Sequence, residues 1–199
     1  MDYYGRGSLD KFIKEHDPPF HQRLRWVLDI TKGLHKLHSA GVYHGSLRCG
    51  NVFVDDEDRA VIADYGVAQL TDNPEFTFAK LADSHRWGGP ELVSFTSNSS
   101  IRQDKLDIYA LGMTMLEVFS GKRPFAEVPS HKVPLAISKN ICPRIPESMA
   151  GNAGLKNVFD ACTRVAPDER PDANEIIKEL KAVSSSYSSH KNTVSLTLA

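Results

Sequence analysis

Cysteine is scarce in this chain and no sign of charge dominates. Cys49, Cys142 and Cys162 are odd in number and far apart, which argues against a disulfide framework and against a C-x-x-C zinc pair. A reduced intracellular setting, most simply the cytoplasm, is the expectation. With 24 Lys and Arg against 25 Asp and Glu, for a formal charge of −1, there is no electrostatic reason to expect nucleic acid or an anionic membrane as partner. Long apolar runs are also missing. The longest, Ile108 to Phe119, is too short to cross a bilayer and carries Glu117. The opening Met1-Asp2-Tyr3-Tyr4 has neither the basic segment nor the apolar run of a signal peptide. What is present, 41% hydrophobic and 25% charged residues in 199, suits one ordinary soluble globular domain with a sizeable core.

The apolar pattern is mainly helical. Gly7-Ser8 precedes Leu9 to Ile13, where Ser8 can cap a helix with Asp10 in its first turn. Pro18-Pro19 then interrupts. From Phe20 to Ala40, Leu24, Val27, Leu28, Thr31, Leu34 and Leu37 recur at helical spacing, and Gly41 follows as a terminal cap. Asp107 to Ser120 is apolar on nearly every face, as a central buried helix would be, and Gly121 and Pro124 end it. Leu155 to Val165 and Ala173 to Val183 read as two further helices. Residues 67–100 and Arg123 to Pro146 read as irregular. After Val183 the run Ser184 to Ser189 opens a tail, residues 184–199, too polar to pack and expected to be disordered.

Two short β-prone runs, Val52-Phe53-Val54 and Ala60-Val61-Ile62, flank the acidic Asp55 to Asp58 and predict a small hairpin. Asn51 immediately precedes the first run and Asp64 lies just beyond the second, so the hairpin brings both side chains to one end. Two oxygen donors converging there suit a hard cation.

The segment His44-Gly45-Ser46-Leu47-Arg48-Cys49-Gly50-Asn51, with Asp64-Tyr65-Gly66 after it, resembles the catalytic loop and metal-binding turn of protein kinases. Gly89-Pro90-Glu91, Asp107-Ile108-Tyr109-Ala110-Leu111-Gly112 and Asp168-Glu169-Arg170-Pro171 continue the resemblance in order. Over residues 1–183 the chain looks like a kinase carboxy-terminal lobe, mainly α with a small β-hairpin. The style of Arg86-Trp87 and Pro90-Glu91-Leu92 is closest to tyrosine-kinase-like kinases.

The resemblance implies roles residue by residue. Asn51 and Asp64 would hold magnesium, Arg48 would stand for the phosphate-contacting lysine, and Phe53 would lie beneath the adenine of ATP. The main chain near Asp2 and Tyr4 would bond the adenine edge. His44 and Tyr65 would share an apolar column, Glu91 and Arg170 would form a buried ion pair, and Asp107 would hold the loop through its backbone N–H groups. Ser46 occupies the position of the catalytic Asp. A hydroxyl cannot accept a proton near neutral pH without a further base, whereas a placed carboxylate contributes roughly 10²–10⁴-fold.

Other departures accompany Ser46. Gly45 replaces the arginine that pairs with a phosphorylated activation loop, Gly88 and Gly89 thin the substrate wall, and no Gly-rich loop or Val-Ala-Ile-Lys lysine occurs, as if the chain began at the hinge. The resemblance therefore implies a pseudokinase lobe that acts as scaffold or regulatory binding module, with a protein partner and with Mg2+ and ATP as retained ligands. An exposed cleft face would favour self-association. The alternative is the carboxy-terminal part of a longer ATP-dependent kinase. A receptor-cyclase kinase-homology region ranks last, because a serine-rich tail follows rather than a cyclase.

Several residues admit plainer readings. His35 and His38 are three apart on a helix without an acidic third ligand, so helix-surface histidines are preferred to a metal pair. Met113 and Met115 read as core. Cys49 beside Arg48 reads as a loop cysteine in preference to an activated thiol.

Overall fold

The computed structural model describes residues 5–63, 85–93 and 102–197, with side chains through residue 188. It is mostly helical, with one two-stranded antiparallel sheet. Helix α1 (Leu9–His16) buries Leu9 and Ile13, one turn apart, and closes on Asp17, whose N–H donates to the Ile13 carbonyl. Ser8 precedes it without capping: its hydroxyl donates to the Asp10 carboxylate at 2.7 Å and not to the helix backbone. Pro18 and Pro19 cannot continue the helix, and α2 (Phe20–Ser39) starts directly after them.

Helix α2 buries Leu24, Val27, Thr31 and Leu34, and also Trp26 and Ile30, which lie off the narrow stripe the spacing suggests. The stripe is wide because three elements pack on this helix: the hairpin, the central helix α3 (Gln103–Ser120) and the last helix α7 (Ala173–Thr197). Trp26 is fully buried, and its indole N–H donates to the Asp58 carbonyl in the hairpin turn at 2.8 Å. Burying a side chain of this kind contributes about 1.5–3 kcal/mol or more.

The hairpin pairs β1 (Val52–Val54) with β2 (Ala60–Ile62), in register Val52 to Ile62 and Val54 to Ala60. In α3 every residue from Asp107 to Phe119 is buried, so the helix is the axis of the core. Gly121 ends it at φ +66°, with its N–H on the Glu117 carbonyl, a conformation that glycine adopts without the Cβ penalty.

Two segments differ from the sequence expectation. Within Arg123 to Pro146, Val133–Ser138 forms α4, with Pro134 in its first turn, where a missing N–H costs little. Val133, Ala136 and Ile137 then close a satellite cluster with Phe125. Short α5 (Glu147–Ala150) and α6 (Ala153–Cys162) lead to α7.

Helix α7 does not end at Val183. The serine-rich segment expected to be disordered is helical through Thr197. The hydroxyls of Ser185, Ser186 and Ser188 each donate to the carbonyl four residues back, at 3.0 Å, which satisfies them inside the helix. Tyr187 anchors the extension by packing on Phe20, 4.8 Å between ring centres, and Phe20 in turn meets Phe119. At its other end α7 has a capping box: Asp172 and Glu175 exchange side-chain-to-N–H bonds of 2.8 Å.

No helix among the described residues is long and apolar enough to cross a membrane.

Candidate functional site

The site is built on α3. Asp107, 1% exposed, accepts the backbone N–H of Gly45 on Oδ1 and that of His44 on Oδ2, both at 2.8 Å, and His38 Nε2 lies 2.9 Å from Oδ2. One carboxylate thus ties the loop after α2 to the end of α2 and to the central helix. His38 is accounted for by this contact, and among the described residues no group of three His, Cys, Asp or Glu could hold a metal. Gly45 sits at φ +75°, so the residue that replaces the family's arginine also relaxes the turn.

Beyond this anchor the loop folds back on itself. The Ser46 N–H donates to His44 Nδ1 at 3.3 Å. Both the carbonyl and the hydroxyl of Ser46 accept from Asn51 Nδ2, at 2.8 and 3.2 Å. The Asn51 amide is therefore oriented by its N–H₂ side, and its Oδ1 is the atom suited to a cation. The Asn51 carbonyl accepts the N–H of Ala63 at 2.9 Å, which extends the hairpin pairing by one residue beyond Ile62. Asp64 and Tyr65 themselves lie outside the described residues, as do Asp2 and Tyr4. Phe53 is half-buried on the hairpin face opposite the buried Val52 and Val54, and is bridged to Ser8 across the backbone. Among the described residues of the expected nucleotide site, Asn51 Oδ1 is the one side-chain oxygen so oriented.

The Arg48 carbonyl accepts the Asn51 N–H at 3.0 Å, while its side chain turns toward Trp87. Its guanidinium lies 5.8 Å from the Trp87 ring centre. It lines a groove of about 480 Å³ with Asp10 and Glu117 that includes neither Ser46 nor Asn51. Glu117 is the hidden organiser here. Its Oε2 accepts the Cys49 N–H at 3.0 Å and the Trp87 indole N–H at 3.2 Å, and burial pushes its carboxyl pKa up. Within a helix patterned as pure core, Glu117 carried a signal: one acid in an apolar run must find donors. Burial first, and Glu117 second, push the Cys49 thiol well up, so this cysteine is not activated.

The segment 85–93 is locked from both ends. Arg86, fully buried, donates to the carbonyls of Pro124, Phe125 and Val128 and to the Ser130 hydroxyl. Glu91 meets Arg170 in a two-pronged pair, Nη1 to Oε1 at 2.6 Å and Nη2 to Oε2 at 2.8 Å. In the sequence Arg86 served only as part of the tyrosine-kinase-like resemblance and carried no structural role, and its polar neighbours Asp83, Ser84 and His85 gave no sign of burial.

Comparison with known proteins accords with this geometry. Residues 1–180 match the family model described as protein tyrosine and serine/threonine kinase. The serine/threonine-protein kinase BCK1/SLK1/SSP31 of Saccharomyces cerevisiae is 31% identical over 189 residues, covering 89% of this chain and 12% of the yeast protein. The serine/threonine/tyrosine-protein kinase HT1 of Arabidopsis thaliana is 27% identical over 184 residues, 90% of this chain and 45% of the plant protein. Mitogen-activated protein kinase kinase kinase 3 of the same plant is 26% identical over 177 residues, covering 89% and 31% respectively. The chain spans less than half the length of each of these relatives. A family match over nearly all of the chain, on a mostly helical fold with one small hairpin, leads to one conclusion: the chain belongs to the protein tyrosine and serine/threonine kinase family.

Proposed function

We propose that this chain is a kinase-family lobe impaired in phosphoryl transfer, which serves as a regulatory binding module for a protein partner and keeps the capacity to bind magnesium and ATP. The observation that carries the reading is the environment of Ser46. The position from which a carboxylate would take the substrate hydroxyl proton presents a hydroxyl held by the Asn51 amide, and among the described residues no further base is bonded to it. Positioning and electrostatics supply much of the acceleration in phosphoryl transfer, so the loss is of rate and not of binding.

When bound, magnesium would neutralise charge on the nucleotide phosphates. Asn51 Oδ1 is the described donor for it, and Asp64 the second by resemblance. Asp107 keeps His44 and Gly45 in place, and with them Ser46. Ligand that binds only the folded state must raise stability. A rise in melting temperature with millimolar ATP and magnesium, lost in Asn51→Ala, supports retained binding; no shift reduces Asn51 and Asp64 to relics.

A second reading is favoured by the comparisons: the chain would be the carboxy-terminal part of an active, longer kinase, since its relatives are named as kinases and it spans a fraction of each. Robust phosphate transfer, abolished by Asp64→Ala, would favour it.

A further inference from the structure

The last helix continues past the core it closes. Along α7 the buried positions Ile176, Leu180 and Val183 lead at helical spacing to Tyr187, which packs on Phe20, the first residue of α2, with ring centres 4.8 Å apart. Phe20 in turn meets Phe119, 5.2 Å between centres, near the end of α3. Three rings thus clasp the extension beyond Val183 to the body of the lobe. Tyr187 and Ser184 are half-buried, and Ser185, Ser186 and Ser188 are exposed. Aromatic pairs add modestly to stability and serine is a weaker helix former than alanine or leucine, so this extension is an element that one added charge can tip.

The outward serines are not equivalent. Their hydroxyls donate to the carbonyls four residues back, Ser185 to Lys181, Ser186 to Ala182 and Ser188 to Ser184, each at 3.0 Å. A phosphate removes that donor and sets a dianion beside the same carbonyl oxygen. At Ser185 the new charge is offset by Lys181, exposed and four residues earlier on the helix surface. Ser188 has Lys191 three residues on. At Ser186 the residues one turn earlier are Ala182 and Val183, and those one turn later are Ser189 and His190, so no lysine or arginine shares its face. Ser186 also directly precedes Tyr187.

We propose that Ser186 is a phosphoacceptor, and that phosphate there releases the α7 extension from Phe20. A separate kinase transfers the γ-phosphoryl group of ATP. The bond from Ser186 Oγ to phosphorus forms, the bond from that phosphorus to the bridging oxygen breaks, the hydroxyl proton passes to the base of that enzyme, and ADP leaves. The terminal turns of a helix open at little cost, and opening back to Tyr187 presents the serine in extended form. Release uncovers the Phe20 ring, backed by Phe119. The clasp uses none of the contacts of Ser46 or Asn51, so it holds whether or not the lobe binds nucleotide.

The test installs phosphoserine at Ser186, or at Ser185, in the whole chain during translation and follows hydrogen exchange in residues 184–190 and in α3. Phe20→Ala marks the released state. Phosphate at Ser186 speeds exchange in the extension by about tenfold or more, approaching Phe20→Ala and leaving α3 unchanged, whereas phosphate at Ser185 changes it by less than about threefold. Ser186→Ala, which removes the hydroxyl without adding charge, stays near the parent. Mass spectrometry of the chain isolated from its own cells, with phosphatases inhibited, finds phosphate on Ser186. Any of five results would overturn the inference: unchanged exchange with phosphate at Ser186, an equal rise with phosphate at Ser185 or in Ser186→Ala, an equal rise in α3, no rise in Phe20→Ala, or no phosphate on Ser186 in the isolated chain.

Discussion

Arg170 reaches Glu91, 79 residues away in sequence, through two parallel N–H to carboxylate bonds, and its remaining donors go to the carbonyls of Lys105, Arg164 and Val165. Its side chain is 0% exposed and its guanidinium also lies over the Tyr109 ring, 4.9 Å from the centre. The pair joins the segment carrying Trp87 to α3 and to the turn before α7. Glu91→Ala strands this cation. Because Glu91 keeps 17% exposure, the expected loss is near the lower end of the range for such pairs, about 3 kcal/mol. Urea denaturation measures it, and a loss under about 1 kcal/mol would place the pair among ordinary surface contacts.

Asp107 is a second anchor of the same kind, aimed at the loop itself. Asp107→Asn turns an N–H₂ group toward the N–H of either His44 or Gly45, so one buried donor loses its acceptor. The expected cost is about 1–3 kcal/mol, with faster hydrogen exchange at the Gly45 amide. Unchanged exchange at that amide would mean the loop is held by other contacts.

Glu117 gives a pH dependence with a definite sign. Burial raises its folded-state pKa above the ordinary 4.5, the N–H groups of Cys49 and Trp87 opposing in part. The folded chain therefore holds this proton more tightly than the unfolded one, and the stability that this supplies is present below about pH 4.5 and fades as pH rises through the folded value. Glu117→Gln keeps an acceptor oxygen for both donors and cannot ionise. Subtracting its stability curve from that of the parent should show the parent losing ground from pH 4.5 upward. A flat difference would contradict the assignment.

The three thiols should separate by accessibility. Cys49 and Cys162 are buried, and burial pushes Cys162 up to about 12 and Cys49 well above its ordinary value. Cys142 is exposed, although partial burial raises its thiol too. Native alkylation near pH 8 should modify Cys142 alone, with the other two reacting only on unfolding. Rapid native labelling of Cys49 would mean that the loop opens.

Much of this was legible in the residues. The apolar spacing of α2, the hairpin around Asp55 to Asp58 and the glycine ends at Gly41 and Gly121 all depend on local rules. The tail after Val183 was not, because Tyr187 is stabilised by Phe20, far away in sequence, and serines count as helix-poor until their hydroxyls are seen on the preceding turn. Helix α4 was hidden by Pro134, a helix breaker everywhere except in a first turn. At the site, Ser46 and Asn51 were identifiable by motif, but Arg48's position against Trp87 was not: spacing places a residue on a loop and leaves open which way its side chain turns.

A hydroxyl at Ser46 in place of a carboxylate should show itself in the rate of phosphoryl transfer. Transfer of the γ-phosphate of ATP to a protein substrate, followed with the parent chain and with Asp64→Ala side by side, tests it most directly. The two should be equally close to background. Robust turnover by the parent, abolished in Asp64→Ala, would contradict it.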